Sequence, residues 1–203
     1  MHLLIVLHCR ASCFFDIMDY MPSKQVTTLE IEKYAISALK KWLKKAMSVP
    51  EVRKRLVEPE TSRYQVDLSI CTVPKMAKIN FAFRKIQKPT DILSFPTHEF
   101  FQRQGVLGDL VICGPVALKQ ASEIGHTWKK EIDVLLVHGI LHLFQFDHEV
   151  SDKEAKLMGS MESRILGKTY RQSLIERTLP ELNKKAAPKK KAAAKKKART
   201  RAA

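Results

Sequence analysis

The chain has little of what secreted or membrane-spanning proteins are built from. Its four cysteines, Cys9, Cys13, Cys71 and Cys113, include no Cys-x-x-Cys pair in 203 residues. That argues against a disulfide framework or a cysteine zinc ribbon, and a reduced compartment, the cytoplasm, is expected. Leu3 to Leu7 falls far short of the roughly 20 apolar residues needed to cross a membrane. It also lacks the positive charge and longer apolar core of a secretory signal, so it reads as a buried first strand. Acid is scarce too: 21 Asp and Glu stand against 36 Lys and Arg, for a formal charge of +15. Residues 183–203 hold ten of those basic groups and no acid, which leaves +5 on the other 182 residues. Such a tail cannot bury a core and should be disordered. It is either a solubilising appendage or a salt-sensitive contact to an anionic partner. Nucleic acid fits better than a membrane surface, since no strongly amphipathic basic helix is evident.

What remains is enough for one domain. Residues 1–167 are expected to form it, with a helical extension over 168–182 and the basic tail over 183–203. Thr27 and Glu30 have capping-box spacing ahead of an apolar set at Ile31, Tyr34, Ala35, Ala38 and Trp42, which predicts a helix ending near Met47. Residues 51–62 read as loop with at most a helical turn. Tyr64, Val66, Leu68 and Ile70 alternate with polar residues as in a half-buried strand. A short helix follows Pro74, a strand runs from Asp91 to Pro96, residues 97–105 read as loop or the far side of a hairpin, and Val106–Cys113 is a strand. Gly114-Pro115 opens a helix that Gly125 closes, Thr127 caps the next, and Ser151 with Glu154 forms a second capping box that opens the last. The expected fold class is α/β (α+β): a small mixed sheet of about four strands packed with several helices.

The richest stretch is His138-Gly139-Ile140-Leu141-His142-Leu143-Phe144-Gln145-Phe146-Asp147-His148, which holds three of the seven histidines. Four helical residues turn about 400° and rise about 6 Å, so His138 and His142 share one helix face. His148 can join them only if the chain turns sharply after Phe144. Three histidines and one open position describe a catalytic zinc site; two core histidines and an unrelated third are the alternative. The spacing is that of the zincin helix, H-E-x-x-H-x-x-G-x-x-H, with two changes. Gly139 stands where a protease keeps its general base, which removes the group a peptidase needs. Gln145 stands where glycine would ease a left-handed turn, at a cost of about 1 kcal/mol.

The same eleven residues resemble the signature of the YbeY endoribonucleases, H-G-x-L-H-L-x-G-Y-D-H, differing at Gln145 and Phe146. Asn80 to Arg84 is similar to that family's N-x-x-x-R, Pro89 to Pro96 to its P-T-D-V-L-S-F-P, and Leu107 to Ile112 to its L-G-D-I-V-I. The resemblance spans roughly residues 60–166. It implies an endoribonuclease for single-stranded RNA that takes one Zn2+ per chain on His138, His142 and His148. It also implies action in ribosomal RNA maturation at the small-subunit RNA 3′ end and in ribosome quality control. The small ribosomal subunit, including a ribosomal protein, would be the partner. Arg84 matches the family's functional arginine; without the resemblance it reads as a surface charge. Asp147 is expected to orient a histidine, and Asp109 to serve strand-end structure or a protein contact. Ser94 and Phe95 would line an RNA groove, core packing being the alternative for Phe95. A ribosome-assembly factor with a structural metal, and a hydrolase of another substrate, are the competing functions.

Overall fold

Thr27 and Glu30 form the capping box their spacing predicts. The Thr27 hydroxyl accepts the Glu30 N–H at 3.2 Å, and the Glu30 carboxylate accepts the Thr27 N–H at 2.8 Å. From there α1 (Thr28–Met47) runs with Ile31, Ala35, Leu39, Trp42 and Leu43 buried along one face. The structure, a computed structural model, describes residues 26–56, 64–167, 170 and 174–175. The expectations for a first strand, for Cys9 and Cys13, for most of the 168–182 extension and for the basic tail lie outside those residues.

A short helix α2 (Pro50–Arg53) leads towards strand β1 (Gln65–Cys71), then helix α3 (Val73–Arg84) and strand β2 (Ile92–Pro96). The short helix α4 (Glu99–Arg103) connects β2 to β3 (Val106–Cys113), and helices α5 (Gly114–Ile124), α6 (Trp128–Leu143) and α7 (Asp152–Leu166) follow. The sheet has order β1-β3-β2, with β1 and β3 parallel and β2 and β3 antiparallel. Its described part therefore has three strands, not the four expected. Residues 97–105 also differ from the loop reading, since α4 occupies most of them. Its cap is His98, whose ring nitrogen accepts the Phe100 N–H at 3.3 Å. Histidine is not among the residues that announce a helix start, and five residues carry no periodicity to detect. Nor are these residues the far side of a hairpin: the strand antiparallel to β2 is β3, which begins only at Val106.

Alternation along the strands sorts side chains to two faces. Val66, Leu68, Leu110 and Ile112 join α1 and α6 in the main core. On the other face Cys71, Leu93 and Cys113 meet Met76 of α3. Cys71 and Cys113 are buried thiols on this face, the small hydrophobes expected. The central element is α6, buried without a break from Glu131 to Leu141, as an interior helix must be on all sides. Its two acids do more than face the positive end of the helix. Asp133 accepts the Trp42 indole N–H at 2.7 Å and the Tyr170 hydroxyl, and Glu131 pairs with His126 at 2.6 Å. Buried carboxylates need such partners, and here they tie α1 and Tyr170 to the helix that carries the histidines.

The glycine after the first histidine sets how closely α6 lies on the sheet. A Cβ at Gly139 would stand 2.8 Å from both Ile92 Cδ1 and Leu110 Cδ2 and 3.2 Å from Ser94 Oγ. Position 139 therefore faces the sheet.

Candidate metal centre

Helix α6 ends in a Schellman turn, which brings the third histidine back. The Phe146 N–H donates to Leu141 O at 3.0 Å and the Gln145 N–H to His142 O at 2.9 Å, with Gln145 left-handed at φ +63°. That pair of bonds defines the motif, which usually places glycine where Gln145 stands. Arg55 holds the strained residue: its guanidinium donates to Gln145 O at 2.9 Å, lies 4.1 Å from the Phe146 ring centroid and pairs with Glu154 at 2.8 Å. Glu154 thus gives its carboxylate to this clamp and not to the expected capping box, of which only the half from its N–H to Ser151 Oγ forms, at 3.2 Å.

The turn closes a cluster. One ligand atom each from His138, His142 and His148 lies within 4.8 Å of the others. His138 Nε2 and His142 Nε2 are 3.1 Å apart, close to the roughly 3.3 Å separating two nitrogens of a tetrahedral zinc site with Zn–N near 2.05 Å. Two of these imidazoles resist protonation. Burial, then the neighbouring His138, His148 and Arg84, push the His142 pKa down to about 3. Burial followed by His138 lowers that of His148. Proton-free imidazole is the form that binds metal.

One carboxylate orients the set, and it is not Asp147. Fully buried Glu162 of α7 meets His138 Nδ1 at 2.6 Å, which directs Nε2 towards the other two histidines, and it also accepts the Ile175 N–H at 3.2 Å. A carboxylate behind a histidine in this way fixes ring and tautomer and raises ligand basicity. Asp147 instead accepts the Glu149 N–H at 2.8 Å and shapes the loop beneath His148. Glu162 escaped the sequence reading although a signal existed: it sits inside the apolar stripe Met158, Met161, Ile165 of α7. A charge within such a stripe needs a buried partner. Glu162→Gln is expected to lower the affinity of the histidine cluster for a metal ion about 10- to 100-fold, measured by competition with a chromophoric chelator. Unchanged affinity would reduce Glu162 to a packing residue.

Arg84 is the last residue of α3, ahead of Lys85, which caps the helix in a left-handed conformation at φ +61°. Its guanidinium reaches Glu149 at 3.3 Å, next in chain to His148, and its charge is among those felt by His142. Arg84 thus comes to the rim of the histidine cluster. Asn80, four residues earlier, donates to Lys88 O at 2.7 Å and ties down the loop beyond. Asp109 does not join the cluster. It lies opposite Asp67 on β1 and Phe95 on β2, on the face turned away from α6, and desolvation with the Asp67 charge raises its pKa. Ser94 faces Gly139, and Phe95 is half-buried against Phe83.

A helix-borne histidine pair, a third histidine on a return loop, a buried carboxylate behind the first and an arginine at the rim form the frame of a metal-dependent hydrolase. Comparison with known proteins names the family. The model for Endoribonuclease YbeY matches residues 24–170. Proteins named Endoribonuclease YbeY are 41% identical in Persephonella marina, covering 64% of this chain and 82% of the relative, and 37% identical in a Sulfurihydrogenibium species, covering 68% and 88%. The Aquifex aeolicus protein of that name is 32% identical over 72% of this chain and 91% of its own length. The chain belongs to the YbeY endoribonuclease family.

Proposed function

We propose that the chain is a zinc-dependent endoribonuclease that cuts single-stranded RNA. We place its work in maturation of the small-subunit ribosomal RNA 3′ end and in ribosome quality control. The observation that carries this reading is the convergence of His138, His142 and His148 beside Arg84, with position 139 turned into the sheet. These residues would hold one Zn2+, which when bound supplies Lewis acidity and acidifies water near neutral pH. Glu162 keeps His138 in the tautomer with a free Nε2. Arg84 can exchange its exposed pairing with Glu149, weak because solvated, for two oxygens of a phosphodiester. There it would offset the charge that builds in the transition state. Gly139 contributes no general base, which argues against a peptidase.

The proposed partners follow: ribosomal RNA and the small ribosomal subunit with one of its proteins, and nucleic acid for the basic tail. The proposed compartment is the cytoplasm; among the described residues no helix is long and apolar enough to cross a membrane. Arg84→Ala should cut single-stranded RNA about 100- to 1000-fold more slowly while its zinc content stays that of the parent. The reading as a whole is tested by incubating the purified chain with single-stranded RNA before and after chelation. Full cleavage by the metal-free chain would overturn it.

A further inference from the structure

Residues 81–89 are all exposed, a nine-residue run covering the last turn of α3 and the loop after it. Exposed polar residues would be unremarked there, but three of these are large and apolar: Phe81 is 45%, Phe83 67% and Ile86 47% exposed. Interleaved with them are Arg84, Lys85 and Lys88. From Val73 to Thr90 the chain carries five basic residues and no acid. Phe83 does not hang free. Its ring lies 4.7 Å from that of Phe95, tilted at 56°, so β2 supports it from behind and its remaining surface is open. An aromatic ring backed by the sheet, in a positively charged turn beside a phosphate-binding arginine, has the parts from which single-strand binders are made: cations for the backbone, a platform for a base.

The geometry points to Phe83 as a stacking platform for an unpaired nucleobase, the base of the nucleotide whose phosphate Arg84 grips. The inference rests on the nuclease reading and adds a determinant of strand selectivity. Phe83 and Arg84 are consecutive on one turn, so a base and its own phosphate can be taken by neighbouring side chains. A base paired in a duplex offers no free face to the ring, so the platform selects unpaired RNA.

The test uses the full chain carrying His142→Ala as a binding-only parent, with a short fluorescein-labelled oligoadenylate and an abasic oligonucleotide of the same length. Adding Phe83→Ala should weaken oligoadenylate binding about 10- to 100-fold, leave abasic binding unchanged, and be rescued by Phe83→Trp. In the otherwise wild-type zinc-loaded chain the same loss should fall on KM and leave kcat unchanged. Unaltered oligoadenylate binding in the Phe83→Ala chain, or an equal loss on both probes, overturns the platform and leaves the nuclease reading standing. A zinc-loaded wild-type chain that neither binds nor cuts RNA removes the nuclease reading, and the platform with it.

Discussion

His142→Ala is expected to abolish zinc retention and RNA cleavage together, with a loss of affinity well beyond the roughly 100-fold that removing an outer partner costs. His142 is the middle histidine of the cluster, one turn from His138 and joined to His148 through the Schellman turn. The remaining pair cannot make up a three-histidine set, and a catalytic zinc site needs three protein donors. The measurement is metal content after dialysis, run beside cleavage of single-stranded RNA. In cells, small-subunit RNA 3′ ends should remain unprocessed. Processed ends would favour an assembly factor whose metal is structural.

The same variant carries a pH signature in the metal-free state. His142 ordinarily titrates near 6.5 but near 3 when folded. Between those values the unfolded chain binds a proton that the folded chain refuses, so stability falls as pH falls through that window. Above pH 6.5 His142 is neutral in both states and contributes no slope. The His142→Ala chain should therefore lose less stability than the wild type on acidification from 6.5 to 3, read from urea midpoints across that range.

Gly108→Ala should cost about 3–5 kcal/mol of folding stability, among the largest single losses the described residues can produce. Gly108 has φ +142°, and a Cβ there would stand 2.1 Å from Phe95 O. That oxygen is backbone of β2, so relief requires the β2–β3 pairing to shift, and with it the strand on which Phe83 and Gly139 rest. Gly139→Ala is the useful comparison. Its Cβ would meet the side-chain ends of Ile92 and Leu110 at 2.8 Å, atoms that can move, so about 1–3 kcal/mol is expected. A fall in urea midpoint at unchanged slope measures each loss. Equal losses would mean that side chains and backbone yield alike in this part of the sheet.

Much of this was legible wherever one residue acts through its immediate neighbours. Thr27 with Glu30, Gly125 after α5 and the paired histidines of α6 each depend on spacings of four or less, and each stands as read. Gln145 was legible as a strained turn residue, but not the means of holding it. Arg55 lies 90 positions away, in a segment that looked like charged loop. Distance along the chain likewise hid Glu162, and Asp147 took its role in the reading because it adjoins His148. Sheet order was equally out of reach. Nothing local to β1 says that its partner is β3, with β2 sent to the outside, because that depends on how α3 and α4 cross.

Gly139 also bears on which chemistries the site can host. Substituting glutamate there, the change that would restore the protease's general base, would drive the new side chain into Ile92 and Leu110. A general base at this position would require both sheet residues to shift or be trimmed, and each trimming would leave a void in the core. Close packing of the helix on the sheet thus stands between this site and a chemistry that its histidine spacing would otherwise invite.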